Sequence, residues 1–137
     1  MEGKQFFLYL DFHGHSVKKN IFQYGNSMDQ LCAGKRPSMN VHPSLFPLIL
    51  SKQFDYFNFQ DCTFSMPKSK EATARIQMFH KLRIPFVFTL EASFAGAAKG
   101  KIAGKHFSCR DLMNVGKYVL KAFWECKKLF LNKGLLK

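Results

Sequence analysis

The stretch that most constrains this chain is residues 6–16, FFLYLDFHGHS. Its first five residues are apolar, rich in aromatics and too few for a helix of their own, so they read as a buried strand. The sequence then turns polar at Asp11 and presents Asp11, His13, His15 and Ser16 within six residues. Open α/β sheets carry their chemistry just beyond the carboxyl ends of central strands. The strand is therefore expected to stop at Asp11 and to hand these polar groups to the loop behind it. Gly14, between the histidines, leaves the backbone free for a conformation that a Cβ would forbid.

A second segment has the same build. Residues 84–90, IPFVFTL, form a strongly apolar strand that ends in a carboxylate, Glu91. Two strands thus deliver one ionisable group each. A neutral imidazole can ligate zinc, and a carboxylate in a dry pocket can rise into the range of a general base. On the residues alone, the commoner reading of His13 is a hydrogen-bonded structural histidine, and Glu91 is as often a capping or solvated group.

Elsewhere the pattern is coarser. Ile21-Phe22-Gln23-Tyr24 reads as a short extended segment closed by Gly25-Asn26, and residues 25–42 as a loop. Pro43 opens a helix over residues 45–50, which requires Pro47 to lie in the first turn. Residues 54–64 alternate in part and read as a strand, residues 66–75 (MPKSKEATAR) as a loop, residues 72–82 as a short helix, and residues 91–107 as a small-residue loop. Ser108 with Asp111 makes a capping box. Behind it Leu112, Val115, Val119, Ala122, Cys126 and Leu129 recur at helical spacing, with Lys117, Lys121, Lys127 and Lys128 off that stripe. The expected fold class is α/β, a partial mixed β-sheet flanked by helices, in a single domain over residues 1–137.

Composition fits one packed core: 137 residues, 47% hydrophobic, 16 of them Phe. The net charge of +12 sets up a field that attracts nucleic acid, anionic membrane or acidic peptides, and charge alone does not choose among them. Cys32, Cys62, Cys109 and Cys126 form no CxxC pair and read as reduced core thiols. Five apolar residues ahead of Asp11 are too few for a signal segment, and no apolar run is long enough to span a bilayer. A soluble cytoplasmic protein is expected.

The ordered blocks DFHGHS, KKN, YG, LFPLILSK, KEATAR and TLEASFAG resemble zinc carboxypeptidases. The likeness is to the cytosolic carboxypeptidases that trim glutamates from tubulin tails, over the C-terminal half of their catalytic domain, from about Phe6 to Cys126. It implies zinc as cofactor, with His13 as a ligand and Glu91 as the general base. It implies that Arg75, in ATAR where the family has GTGR, lies in the pocket for an acidic C-terminal side chain. A surface arginine at a helix rim is the plainer reading of that residue. His15 then lies behind the ligand or on the substrate side. A cis peptide is implied at Gly14–His15, and acidic tails such as glutamylated tubulin are the implied partners.

Catalytic zinc needs three protein ligands and an open position. The family takes the other two from an HxxE motif, and here the residues three after each histidine are Ser16, Lys18, Leu45, Arg83 and Cys109. The chain alone is therefore expected to be inactive. Three readings follow: part of a full enzyme, a pseudoenzyme that holds acidic tails, or a basic protein that binds nucleic acid. A different metal site built from His13 and His15 with Cys109 or His106 is a remoter possibility. The family's mobile active-site tyrosine has no matching position here; Tyr56 is present but in a different context. Strands left without neighbours would be bare edges and lower solubility.

Overall fold

The computed structural model describes residues 6–29 and 41–132. Most of the loop read over residues 25–42, and Cys32 within it, lies outside the described residues. Four strands form one mixed sheet: β1 (Tyr9–His15), β2 (Ile21–Gly25), β3 (Thr63–Phe64) and β4 (Val87–Ser93), in the order β1-β4-β2-β3. β1 runs parallel to β4, β4 antiparallel to β2, and β2 parallel to β3. Three helices lie wholly within the described residues: α1 (Leu45–Ser51), α2 (Ala74–Leu82) and α3 (Cys109–Asn132). The architecture is α/β with a four-stranded mixed sheet, as the sequence led us to expect. No described helix is long and apolar enough to cross a membrane.

The two principal strands are longer than the sequence suggested. β1 does not stop at Asp11 but continues to His15, and β4 passes through Glu91 to Ser93. The parallel ladder explains this, since it pairs every residue from Tyr9↔Val87 to His15↔Ser93 and so holds the polar stretch extended. Successive side chains in a strand point to opposite faces. Leu10, Phe12, Phe88 and Leu90 therefore share one face, and Asp11, His13, His15, Thr89 and Glu91 share the other.

No cis peptide occurs among the described residues, so the one implied at Gly14–His15 is absent. That peptide lies inside the ladder, at Gly14↔Ala92 and His15↔Ser93, where extended trans backbone is required. Gly14 is not among the glycines with positive φ, and only the exposed Phe94 ring, which can swing aside, opposes a Cβ there. A Cβ there would lie 2.3 Å from the ring of Phe94.

Residues 54–64 are not one strand. Phe57 makes an isolated bridge to Ile21, residues 59–61 form a 3-10 turn, and only Thr63–Phe64 joins the sheet. Phe54, Tyr56 and Phe57 are all buried, which alternation forbids. Phe54 stacks on Tyr118 of α3 at 4.8 Å and the Tyr56 hydroxyl donates to the Asp111 carbonyl. Packing of aromatics against the helix outweighs strand pairing here.

In α1, Pro47 occupies the first turn, where its missing N–H forfeits no intrahelical bond. The capping box of α3 is reciprocal. The Ser108 amide donates to Asp111 Oδ2 at 2.8 Å and the Asp111 amide donates to Ser108 Oγ at 3.2 Å. Val115, Val119, Ala122, Cys126 and Phe130 are its buried stripe. Leu112 and Leu129 are 45% and 44% exposed, because four-residue steps from Val115 drift past them to Phe130.

The apolar face of the sheet lies beneath α1 and α3. Phe46 of α1 stacks on Phe88, and Phe130 of α3 meets Phe86 and Phe7 edge-on. α2 packs against β1 and β4 from the opposite side, burying Ile76 and Phe79. Among the described residues β1 pairs only with β4, so its outer edge is bare, and Phe12 on it is 58% exposed.

Candidate active site

The polar face of the sheet opens into a cavity of about 540 Å³. β1 supplies Asp11 and His13, β4 supplies Thr89 and Glu91, and β2 supplies Tyr24. Arg75, in the first turn of α2, closes the far side with Lys70 and Thr73 from the turn before it. His13 and Glu91 are direct partners in the parallel ladder. Their Cα atoms therefore face each other across one interstrand spacing, about 4.8 Å, with both side chains on the same side.

Glu91 is 7% exposed, and its Oε2 is buried without a hydrogen-bond partner among the described residues. Burial raises its pKa, opposed first by His15 and then by His13, while Asp11 adds to the rise. A carboxylate in this state is poised to accept a proton.

His13 carries Asp11 Oδ2 on its Nε2 at 3.0 Å, and its Nδ1 has no partner among the described residues. A carboxylate on one ring nitrogen leaves the other oriented as a ligand, the usual support for a metal-binding histidine. Among the described residues, however, no three His, Cys, Asp or Glu side chains group closely enough to hold a metal ion. These donors fit one corner of a zinc site, and further ligands are needed to complete it. His106 bonds towards the Phe94 carbonyl and lines a second cavity that His13 also borders, but it does not line the polar one.

His15 shares the polar face but does not line this cavity. Its Nδ1 accepts from the Val17 and Lys18 amides at 3.2 and 3.0 Å, which leaves a hydrogen to Nε2. Nε2 then donates weakly to the Tyr24 hydroxyl at 3.4 Å, and the ring packs edge-on against Phe22. Both nitrogens are occupied in shaping the turn after β1 and in holding Tyr24.

Arg75 is buried, and its Nη1 donates to the Gly25 carbonyl, Asn26 Oδ1 and the Ser65 carbonyl. It is not a surface arginine: burial lowers its pKa, and it reaches across from α2 to the end of β2. Tyr24 stands between the two charged ends. Its pKa is raised first by burial and then by Glu91, and Arg75 opposes the rise.

Tyr24, Asn26 and Lys70 are among the residues that reading the sequence did not bring to the site. Asn26 is fully buried and also donates from Nδ2 to the Val87 carbonyl, which ties Arg75 to β4. Gly25-Asn26 looked like turn punctuation. Tyr24 was legible only as every second residue after Phe22, once β2 was known to pair with β4. Tyr56, by contrast, is buried under α3, away from the cavity, with burial pushing its phenol up to about 12.

No protein-family model matches the chain. It is 42% identical over 117 residues to cytosolic carboxypeptidase 3 of Bos taurus, covering 85% of this chain and 11% of that protein. To cytosolic carboxypeptidase 2 it is 43% identical over 115 residues in Xenopus tropicalis and 38% over 120 residues in Homo sapiens. Those matches take in 82% and 87% of this chain and 11% and 12% of the relatives. The chain thus spans little more than a tenth of the length of the curated relatives it matches.

Proposed function

Because this chain belongs to the cytosolic carboxypeptidase family over the stretch it shares with these relatives, we propose that it is part of a zinc carboxypeptidase domain. In this reading the domain removes C-terminal glutamates from acidic protein tails such as those of tubulin. The supporting observation is the ladder pair His13–Glu91 facing the same cavity as Arg75. The remaining metal ligands come from elsewhere in a longer polypeptide, and a cytoplasmic location goes with the family name.

His13 would hold the metal through Nδ1, with Asp11 fixing the ring from behind. When bound, zinc supplies Lewis acidity to the scissile carbonyl and lowers the pKa of water. Glu91 takes the proton of the attacking water on its carboxylate and passes it to the leaving amine nitrogen. Burial, which raises its pKa, suits it to both halves of that transfer. Arg75, which lines the cavity with its Nη1 anchored to the Gly25 and Ser65 carbonyls, receives a side-chain carboxylate. The bare edge of β1 is where further strands of the domain would pair.

In the complete polypeptide, Glu91→Gln should retain about one zinc per molecule and lose at least a hundredfold in turnover. Loss of zinc together with activity would make Glu91 a structural group instead. If the complete protein holds no zinc yet polyglutamate peptides still bind, the tail-binding pseudoenzyme is the correct reading. Nucleic-acid binding would appear as affinity falling steeply with salt.

A further inference from the structure

α3 carries two apolar stripes, and the core accounts for one of them. Val115, Val119, Ala122, Cys126 and Phe130 are buried. The second stripe runs along the opposite side of the helix, where Met113, Leu120, Trp124 and Leu131 are 77%, 69%, 55% and 51% exposed. With Lys117 and Lys127 between them, these residues advance in alternating steps of four and three, Met113-Lys117-Leu120-Trp124-Lys127-Leu131. That 3.5-residue period is the seam of a helix packed along another helix, here for about 27 Å. Apolar residues scattered over a surface are ordinary, whereas a continuous period along one face is not. Leu120 and Trp124 also line an open groove of about 780 Å³ beside Gln53, just past the end of α1.

The seam is bordered by positive charge. Lys121 and Lys128 lie one residue beyond Leu120 and Lys127, at the positions that face the flank of a partner helix. Of the lysines on this helix only Lys128 has an ion pair among the described residues, to Glu125 at 2.8 Å. A second copy would set Lys117, Lys121 and Lys127 against their own like charges. A lipid surface takes a broad apolar face, not a seam interrupted by two lysines. Further strands pairing on the bare edge of β1 would extend the sheet layer and leave the outer side of the helix layer open. We infer that this side of α3 is a docking surface for an amphipathic helix of a partner protein, apolar along its seam and acidic on its flanks.

Trp124 is the only tryptophan of the chain, so its fluorescence reads the seam directly. The full chain is titrated at physiological salt with a synthetic helical peptide of about 21 residues, Leu at its seam positions and Glu beside them. The emission should move to shorter wavelength and saturate. The same peptide with Lys in place of Glu should bind about tenfold more weakly or worse. Leu120→Glu should weaken the Glu peptide by about tenfold. Lys121→Glu should weaken the Glu peptide and strengthen the Lys peptide. Val17→Ser, at an apolar residue 82% exposed elsewhere on the surface, should change neither. Equal binding of the two peptides, or a Leu120→Glu chain that binds the Glu peptide as well as the wild type, overturns the inference. So does a shift produced by phosphatidylserine vesicles and not by the peptide, which makes this face a membrane contact. A Trp124 already shielded in the complete polypeptide before peptide is added also overturns it, because the longer chain then covers the seam itself.

Discussion

The two faces of β1 and β4 are built from the same backbone and do opposite work. On one face Phe88 and Leu90 lie in a phenylalanine-rich core under α1 and α3. On the other, one residue along, Thr89 and Glu91 face a polar cavity in which a buried carboxylate oxygen has no partner among the described residues. Strand alternation thus separates the groups that hold the sheet together from those whose burial costs stability. The cost of burying that oxygen is carried by the packing of the opposite face.

Removing the ring from the packed face should have the largest effect. Phe88→Ala empties a fully buried site between Phe46 and Phe86 and should cost about 3–5 kcal/mol, enough to abolish a cooperative thermal melt. A substitution on the opposite face should act with the opposite sign. The folded pKa of Glu91 lies above its ordinary value of 4.5. Below that pH both folded and unfolded carboxyls are neutral and the group costs nothing. As pH rises towards the folded pKa, the unfolded state ionises more readily and stability falls. Glu91→Gln should therefore stabilise the fold by about 1 kcal/mol at pH 7, read as a raised Tm. The gain should shrink to nothing as the melt is repeated below pH 4.5.

The smallest effect on stability should come where the packed face reaches the bare edge. Phe12→Lys, at a residue 58% exposed, should change stability by no more than about 0.5 kcal/mol. It should visibly reduce self-association in light scattering, because a charged edge strand resists pairing with another copy. A drop in Tm of several degrees instead would mean that Phe12 belongs to the core rather than to an open edge.

Much of this was written in local pattern. The capping box and the Val115–Val119–Ala122 stripe named α3, and the two apolar runs named β1 and β4, because these signals depend on neighbours within a few positions. The partial strand pattern of residues 54–64 misled, since Phe54 and Tyr56 answer to α3, more than fifty residues away. The cavity's supporting groups were hidden for the same reason. Asn26 matters through Arg75 and Val87, and His15 through Tyr24.

The chain's own order of residues determined that an imidazole and a carboxylate would each sit on an apolar strand, and it carried the likeness to carboxypeptidases. Only tertiary structure decided that the two strands pair in parallel with His13 opposite Glu91, and that Arg75 is tethered across the sheet to face them. The reason is that spacing along a strand fixes which face a side chain takes, whereas register between strands depends on contacts that no local window contains.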